Sequence, residues 1–182
     1  MQETDRGYLT EEELLTLTNA MFVKKQTNLV RDMFLFGCFT GLSYIDIKTL
    51  THDKIQRMDF DGEEWIIPRR TKIRVSSNVP LMEIAKELIE RHRGLAGGDF
   101  VFPMPSNSVC NNHLKRIAKA CGINKEIGFH TARHSFATVL KRSGVNTSLI
   151  SEALGYSSEE VTQIYLDSFG NEQMDDAMKN LL

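Results

Sequence analysis

Apolar and polar positions follow two different periods along the chain, and the change of period divides it into segments. Residues 10–21, TEEELLTLTNAM, open on Thr10 with Glu13 three residues on, the pairing of a capping box, and continue with apolar residues at helical spacing. A first helix is expected there. Residues 27–41, TNLVRDMFLFGCFTG, are apolar almost all round and stop at Gly41; a helix with that pattern is buried and is the expected core element. Residues 43–50, SYIDIKTL, predict a short third helix capped by Ser43, with Asp46 three residues later. The period then shortens. Residues 54–70, KIQRMDFDGEEWIIPRR, place an Asp-Gly turn between two runs rich in Ile, Phe and Trp, and SSNVPL follows, which predicts three short antiparallel strands. Helical spacing returns at Leu81: residues 81–94, 108–122, 130–144 and 147–155 each end on a glycine. Ser157 and Glu160 form a second capping box before VTQIYL, and Met174, Ala177, Met178 and Leu181 make a final apolar stripe. The expected fold is mainly α, with a small three-stranded antiparallel β-sheet inserted after the third helix.

At 182 residues, 41% apolar and 25% charged, the chain has the length and composition of one globular domain with a real core. No apolar run reaches the roughly 18 residues of a membrane span, and MQETDRGYLT lacks a secretory pattern, so a cytoplasmic protein is expected. Cys38, Cys110 and Cys121 are odd in number and lack CxxC spacing, which predicts reduced, mostly buried thiols rather than a disulfide framework. The net charge of −2 argues against a nucleic-acid partner, but it hides an asymmetry. Between Ile66 and Asn146 stand 14 Lys or Arg against 5 Asp or Glu, so the middle is basic and the flanks are acidic.

Candidate chemistry concentrates in residues 129–140, FHTARHSFATVL. His130 and His134 lie one helical turn apart, as in zinc helices, but position 131 is Thr where such helices carry a general-base Glu. His52, His92 and His113 show no ligand spacing. No metal site is expected. An anion site fits better, because His130 and Arg133 fall at the start of a helix, whose amides and dipole favour a phosphate, and Arg adds a planar fork for two oxygens.

The order of motifs extends this. TGLSYIDIKTL, then Lys72 at a strand end with VPL following, then His-Thr-Ala-Arg-His, then LGYSSEEVTQIYL, together resemble the catalytic domain of tyrosine recombinases, the family of phage-type and conjugative-transposon integrases. The resemblance covers about residues 8–169 and rests on four separated motifs in the family's order. Carried over residue by residue, it implies that Tyr165 is the nucleophile, that His130 and Arg133 bind the scissile phosphate with His134 in support, that Lys72 is the strand lysine, and that Asp46 is the acidic residue of the first motif. Two positions depart from the family pattern: Ser43 stands where an arginine is usual, and Tyr156 where a His or Trp is usual.

The implied activity is site-specific DNA recombination, the integration or excision of a mobile element, through a covalent 3′-phosphotyrosyl intermediate with neither metal nor ATP. Relaxation of DNA in the manner of a type IB topoisomerase, or a non-catalytic DNA-binding module, are the alternatives. A phenol with a pKa of about 10 needs a base or cations nearby to attack at neutral pH. Fixed Arg and His donors stabilise charge that grows on the phosphate oxygens in the transition state. Loss of the arginine at position 43 would cost part of that, and strand alternation puts Arg70 on the same face as Lys72, which makes Arg70 the expected substitute. Tyr156 is expected to hydrogen-bond the phosphate. The implied partners are double-stranded DNA, other protomers in a tetrameric synapse and accessory DNA-bending proteins. The resemblance further implies that the N-terminal DNA-clasping domain of the family is absent, and that residues 170–182 dock either on their own domain or on a neighbouring protomer.

Overall fold

The computed structural model of the chain describes residues 7–57, 62–67 and 79–142, together with 144, 146–148 and 150. Helix α1 (Glu11–Asn19) begins with both capping-box bonds in place: the Glu13 amide donates to Thr10 Oγ1 at 3.2 Å and the Thr10 amide to Glu13 Oε2 at 2.9 Å. Helix α2 (Lys25–Thr40) ends where Gly41 takes φ 72°, a left-handed conformation that glycine adopts without a side-chain penalty. Helix α3 (Tyr44–Lys48) starts at Ser43, whose Oγ accepts the Asp46 amide at 3.3 Å. These three helices stand where the sequence places them, though α2 begins two residues before Thr27.

A short 3₁₀ turn at His52–Lys54 leads into the small antiparallel sheet, which follows the third helix as expected. Strand β1 (Ile55–Arg57) pairs with β2 (Glu64–Ile66) in the register Ile55 with Ile66 and Arg57 with Glu64, and β3 (Val79–Pro80), two residues long, pairs with the other side of β2. Gly62, of the predicted Asp-Gly turn, has φ 70°. Helices α4 (Glu83–Arg91), α5 (Asn107–Ala120) and α6 (Phe129–Arg142) complete the described domain. The helix and capping box expected after residue 150, and the stripe from Met174 to Leu181, lie outside the described residues.

Helix α2 is the centre of the core: every residue from Val30 to Thr40 is buried. Its closest partner is α6. A Cβ placed on Gly37 would come within 3.1 Å of the Ala132 Cβ, so the two backbones meet at a point where only glycine and alanine fit. Beside that crossing, Phe34 meets Phe129 edge to face at 6.2 Å. The back of α6 is held by the N-terminal segment, whose Leu9 amide donates to Ser135 Oγ at 3.0 Å. Lys125, just before α6, donates to the Tyr8 carbonyl at 3.2 Å and to Glu13 at 2.9 Å.

The adjacent charges Arg31 and Asp32, inside an otherwise apolar run, are buried to 3% and 1% exposure. Asp32 accepts from Arg31 Nε at 2.6 Å, from Arg91 Nη1 at 3.0 and 3.1 Å, and hydrogen-bonds His92 Nε2 at 2.8 Å. Arg31 also donates to the carbonyls of Leu17 and Ala20. One carboxylate thus ties α2 to the end of α1 and the end of α4. Cys38 and Cys110 are buried and Cys121 is half-buried, all three as free thiols. Burial pushes the Cys38 thiol far up and Cys110 up to about 11, so both stay protonated and inert.

Candidate functional site

The start of α3, one face of α5 and the start of α6 line a pocket of about 430 Å³. Ser43 and Tyr44 line it from α3, Asn107, Asn111 and Lys115 from α5, and the stretch from Glu126 to His130, with Arg133, from the loop and helix on the third side. His130 and Arg133, assigned to one phosphate by the sequence reading, and Ser43, which stands where the family's arginine is usual, are therefore brought together across some 90 residues of chain. The arrangement is fixed from below. Tyr44 packs edge-on against Phe129 at 5.6 Å and donates its hydroxyl to the Pro105 carbonyl at 2.8 Å, which locks the start of α3 against the start of α6.

The start of α6 is built around a glycine. The Gly128 amide donates to Thr131 Oγ1 at 3.2 Å and its carbonyl accepts the Ala132 amide at 3.2 Å. A Cβ at 128 would lie 3.2 Å from both Cε1 and Nδ1 of His130, so the imidazole rests directly on the glycine backbone. His130 is exposed and faces the pocket; Arg133 is half-buried and faces it too. Because α6 begins at Phe129, Arg133 opens the second turn rather than lying in the first as the sequence suggested. An anion held in the pocket would therefore meet its fork rather than the helix amides alone.

His134 does not line the pocket. It stands half-buried behind His130, the two rings perpendicular with centroids 6.2 Å apart. Burial, and then the charges of His130 and Arg133, push its pKa down to about 4 against the pull of a hydrogen bond with the Gly7 backbone. His134 is therefore neutral near pH 7 and stands behind His130 without adding charge to the pocket. The sign of the linkage follows. Unfolded His134 takes up a proton near pH 6.5 that the folded residue refuses, so its contribution is complete above pH 6.5 and is lost as the pH falls through about 4. The melting temperature is expected to fall over that window, and His134→Gln, followed by calorimetry across pH, is expected to flatten the fall.

Asp46 also stands outside the pocket lining, where its amide closes the cap on Ser43. Lys72, Arg70, Tyr156 and Tyr165 lie outside the described residues. Among the described residues no group of three or more His, Cys, Asp or Glu is placed to hold a metal ion, and no helix is long and apolar enough to cross a membrane. Sequence reasoning missed Asn107, Asn111, Lys115 and Gly128. The α5 residues recur every fourth position, a signal that marks one helix face but not what that face looks onto.

Over residues 7–172 the sequence matches the model described as the phage integrase family. The tyrosine recombinase XerD of Chlorobaculum tepidum is 31% identical over 175 residues, covering 86% of this chain and 56% of that protein. A tyrosine recombinase of Pseudothermotoga lettingae is 39% identical over 69 residues, which cover 38% of this chain and 24% of the relative. The chain thus spans little more than half the length of curated relatives it matches, or less. Among solved structures, the XerH site-specific recombinase in its post-cleavage complex with palindromic difH substrate superposes with a TM-score of 0.72 at 18% identity, covering all of this chain and 53% of that one. The lambda integrase tetramer bound to a Holliday junction gives 0.68 at 20% identity over 96% of this chain and 52% of its own. The Tn1549 transposon integrase in complex with transposon right end DNA gives 0.63 at 18% identity over 99% and 66%.

Proposed function

The chain belongs to the phage integrase family, and on that premise we propose that it is the catalytic domain of a site-specific DNA recombinase that integrates or excises a mobile element. The observation that carries the proposal is the single pocket shared by Ser43, His130 and Arg133. Its pairing of an arginine fork with an imidazole suits a phosphodiester better than a metal or a neutral ligand.

In the proposed reaction the Tyr165 hydroxyl attacks the scissile phosphorus and loses its proton to a neighbouring base, a role proposed for His130, whose place on the pocket wall supports it. The bond to the 5′ oxygen breaks as the bond to the tyrosine oxygen forms, and Lys72 supplies the proton to the departing 5′ hydroxyl. Charge on the non-bridging oxygens grows in between, where Arg133 and His130 stabilise it. The 3′-phosphotyrosyl bond conserves the phosphoester energy, so attack by the 5′ hydroxyl of a second strand rejoins the DNA without ATP. Tyr156 donates a hydrogen bond to the same phosphate and Arg70 adds charge from the sheet. Double-stranded DNA and further protomers are the proposed partners, by analogy with the DNA-bound tetramer of lambda integrase. The segment 170–182 is proposed to dock on its own domain or on a neighbour.

The test is capture from a pool of nicked duplexes of randomised sequence. Adducts that survive denaturing detergent and converge on one sequence support a site-specific recombinase. Relaxation of any supercoiled plasmid with no sequence convergence would instead make the domain a type IB topoisomerase. Retention of duplex with no adduct would make it a non-catalytic module, the outcome that Ser43 favours if nothing replaces the missing arginine.

A further inference from the structure

Helix α5 presents Asn107, Asn111 and Lys115, spaced four residues apart, to the same pocket as Ser43, His130 and Arg133. The Lys115 side chain belongs to an exposed residue, and among the described residues it makes no ion pair. Four other lysines of the described domain are engaged, Lys86 with Glu63 and Glu83, Lys125 with Glu13, Lys54 with Asp53, and Lys48 over the Tyr44 ring, while Lys24, Lys25 and Lys119 make no ion pair among the described residues and do not line the pocket. The neighbouring cations of α5, Arg116 and Lys119, do not line the pocket. Glu126 is the only carboxylate among its described lining residues. The pocket that carries a serine at position 43 thus also carries, on α5, a lysine on a flexible four-carbon stem with three donors.

We propose that Lys115 binds the scissile phosphate and supplies the second positive charge that Ser43 cannot. The proposal rests on the recombinase assignment of the pocket and adds a residue to it. Arg133 holds one edge of the phosphate through its fork; Lys115 reaches from the α5 wall to the non-bridging oxygen left without an arginine. An ammonium tolerates this because it acts as a point charge and needs no fixed plane, so another wall of the pocket can deliver it. Asn107 and Asn111 add neutral amide donors along the same wall.

The experiment uses the full chain with a nicked duplex captured from the randomised pool, prepared once with a normal scissile phosphate and once with a methylphosphonate, in which a methyl group replaces one charged oxygen. Lys115→Ala is expected to cleave the phosphate about tenfold to a hundredfold more slowly at saturating duplex, somewhat less than the loss of a fully enclosed oxyanion donor, and Lys115→Arg to keep most of the rate. On the methylphosphonate, whose transition state carries one negative charge fewer and so leaves no second charge to neutralise, wild type and Lys115→Ala are expected to differ by less than about twofold. An unchanged rate on phosphate overturns the proposal, as does an equal loss on both substrates, which would mark a residue that only holds DNA. The same two substrates given to Arg70→Ala report whether the charge comes from the sheet instead; a loss there with none in Lys115→Ala overturns the assignment to α5. Absence of any adduct with wild type is a different failure, that of the recombinase reading itself.

Discussion

Arg133→Ala is expected to slow strand cleavage by about a hundredfold to a thousandfold at saturating DNA, the loss measured for single donors that act on a developing oxyanion. The size follows from where the residue stands. Arg133 projects from α6 beside Ala132, and Ala132 is pinned against Gly37 of α2 so closely that a Cβ on the glycine would lie 3.1 Å away. Phe129, one turn earlier, is held between Phe34 and Tyr44. The helix therefore cannot slide to bring another donor to the same point, and with serine at position 43 no second arginine shares the work from α3. Duplex retention should suffer far less than cleavage, because a long phosphate track dilutes the loss of one ion pair while the reacting phosphate feels all of it. Arg133→Lys keeps the charge without the fork and is expected to fall between wild type and alanine. Single-turnover cleavage at saturating duplex reads both variants.

Asp32→Ala is expected to cost about 3–5 kcal/mol of folding stability, read as a lower midpoint in urea unfolding. The carboxylate receives Arg31 Nε at 2.6 Å, Arg91 Nη1 at 3.0 Å and His92 Nε2 at 2.8 Å. Its removal leaves the Arg31 guanidinium, 3% exposed, charged and without its counter-ion in the core. Asp32→Asn keeps one acceptor oxygen and should cost less. Burial alone would push the Asp32 carboxyl upward, but the His92 hydrogen bond and the charges of Arg31 and Arg91 outweigh it and hold it below the ordinary carboxylate range. Its contribution is therefore present at neutral pH and is lost only as the pH falls through that depressed value, below the window in which His134 acts.

What was legible in the sequence is what local chemistry determines. Thr10 with Glu13, Ser43 before the Asp46 amide, and Gly41 after an apolar run each act within a few residues, and each boundary falls where those residues place it. The strands on either side of the Asp-Gly turn were likewise readable from their apolar β-formers. That His130 and Arg133 share one wall was legible from their spacing, and Ser43 joined them only through the resemblance. Relations set by helix crossings were out of reach. Asn107, Asn111 and Lys115 form a polar stripe on α5 beside the buried one of Cys110, Leu114 and Ile117, and nothing in that stripe says which other element it faces. Gly128 gives no local sign that an imidazole rests on it. The charges at Arg31 and Asp32 lie inside an apolar helix, and their partners Arg91 and His92 lie about 60 residues away at the end of another element.

The most direct measurement is to digest the captured adduct with protease and nuclease and identify by mass spectrometry the amino acid that carries the nucleotide. A phosphotyrosyl recombinase predicts a 3′-nucleotide on Tyr165 and no adduct in Tyr165→Phe. A nucleotide on any other side chain, or an adduct that forms equally in Tyr165→Phe, would contradict it.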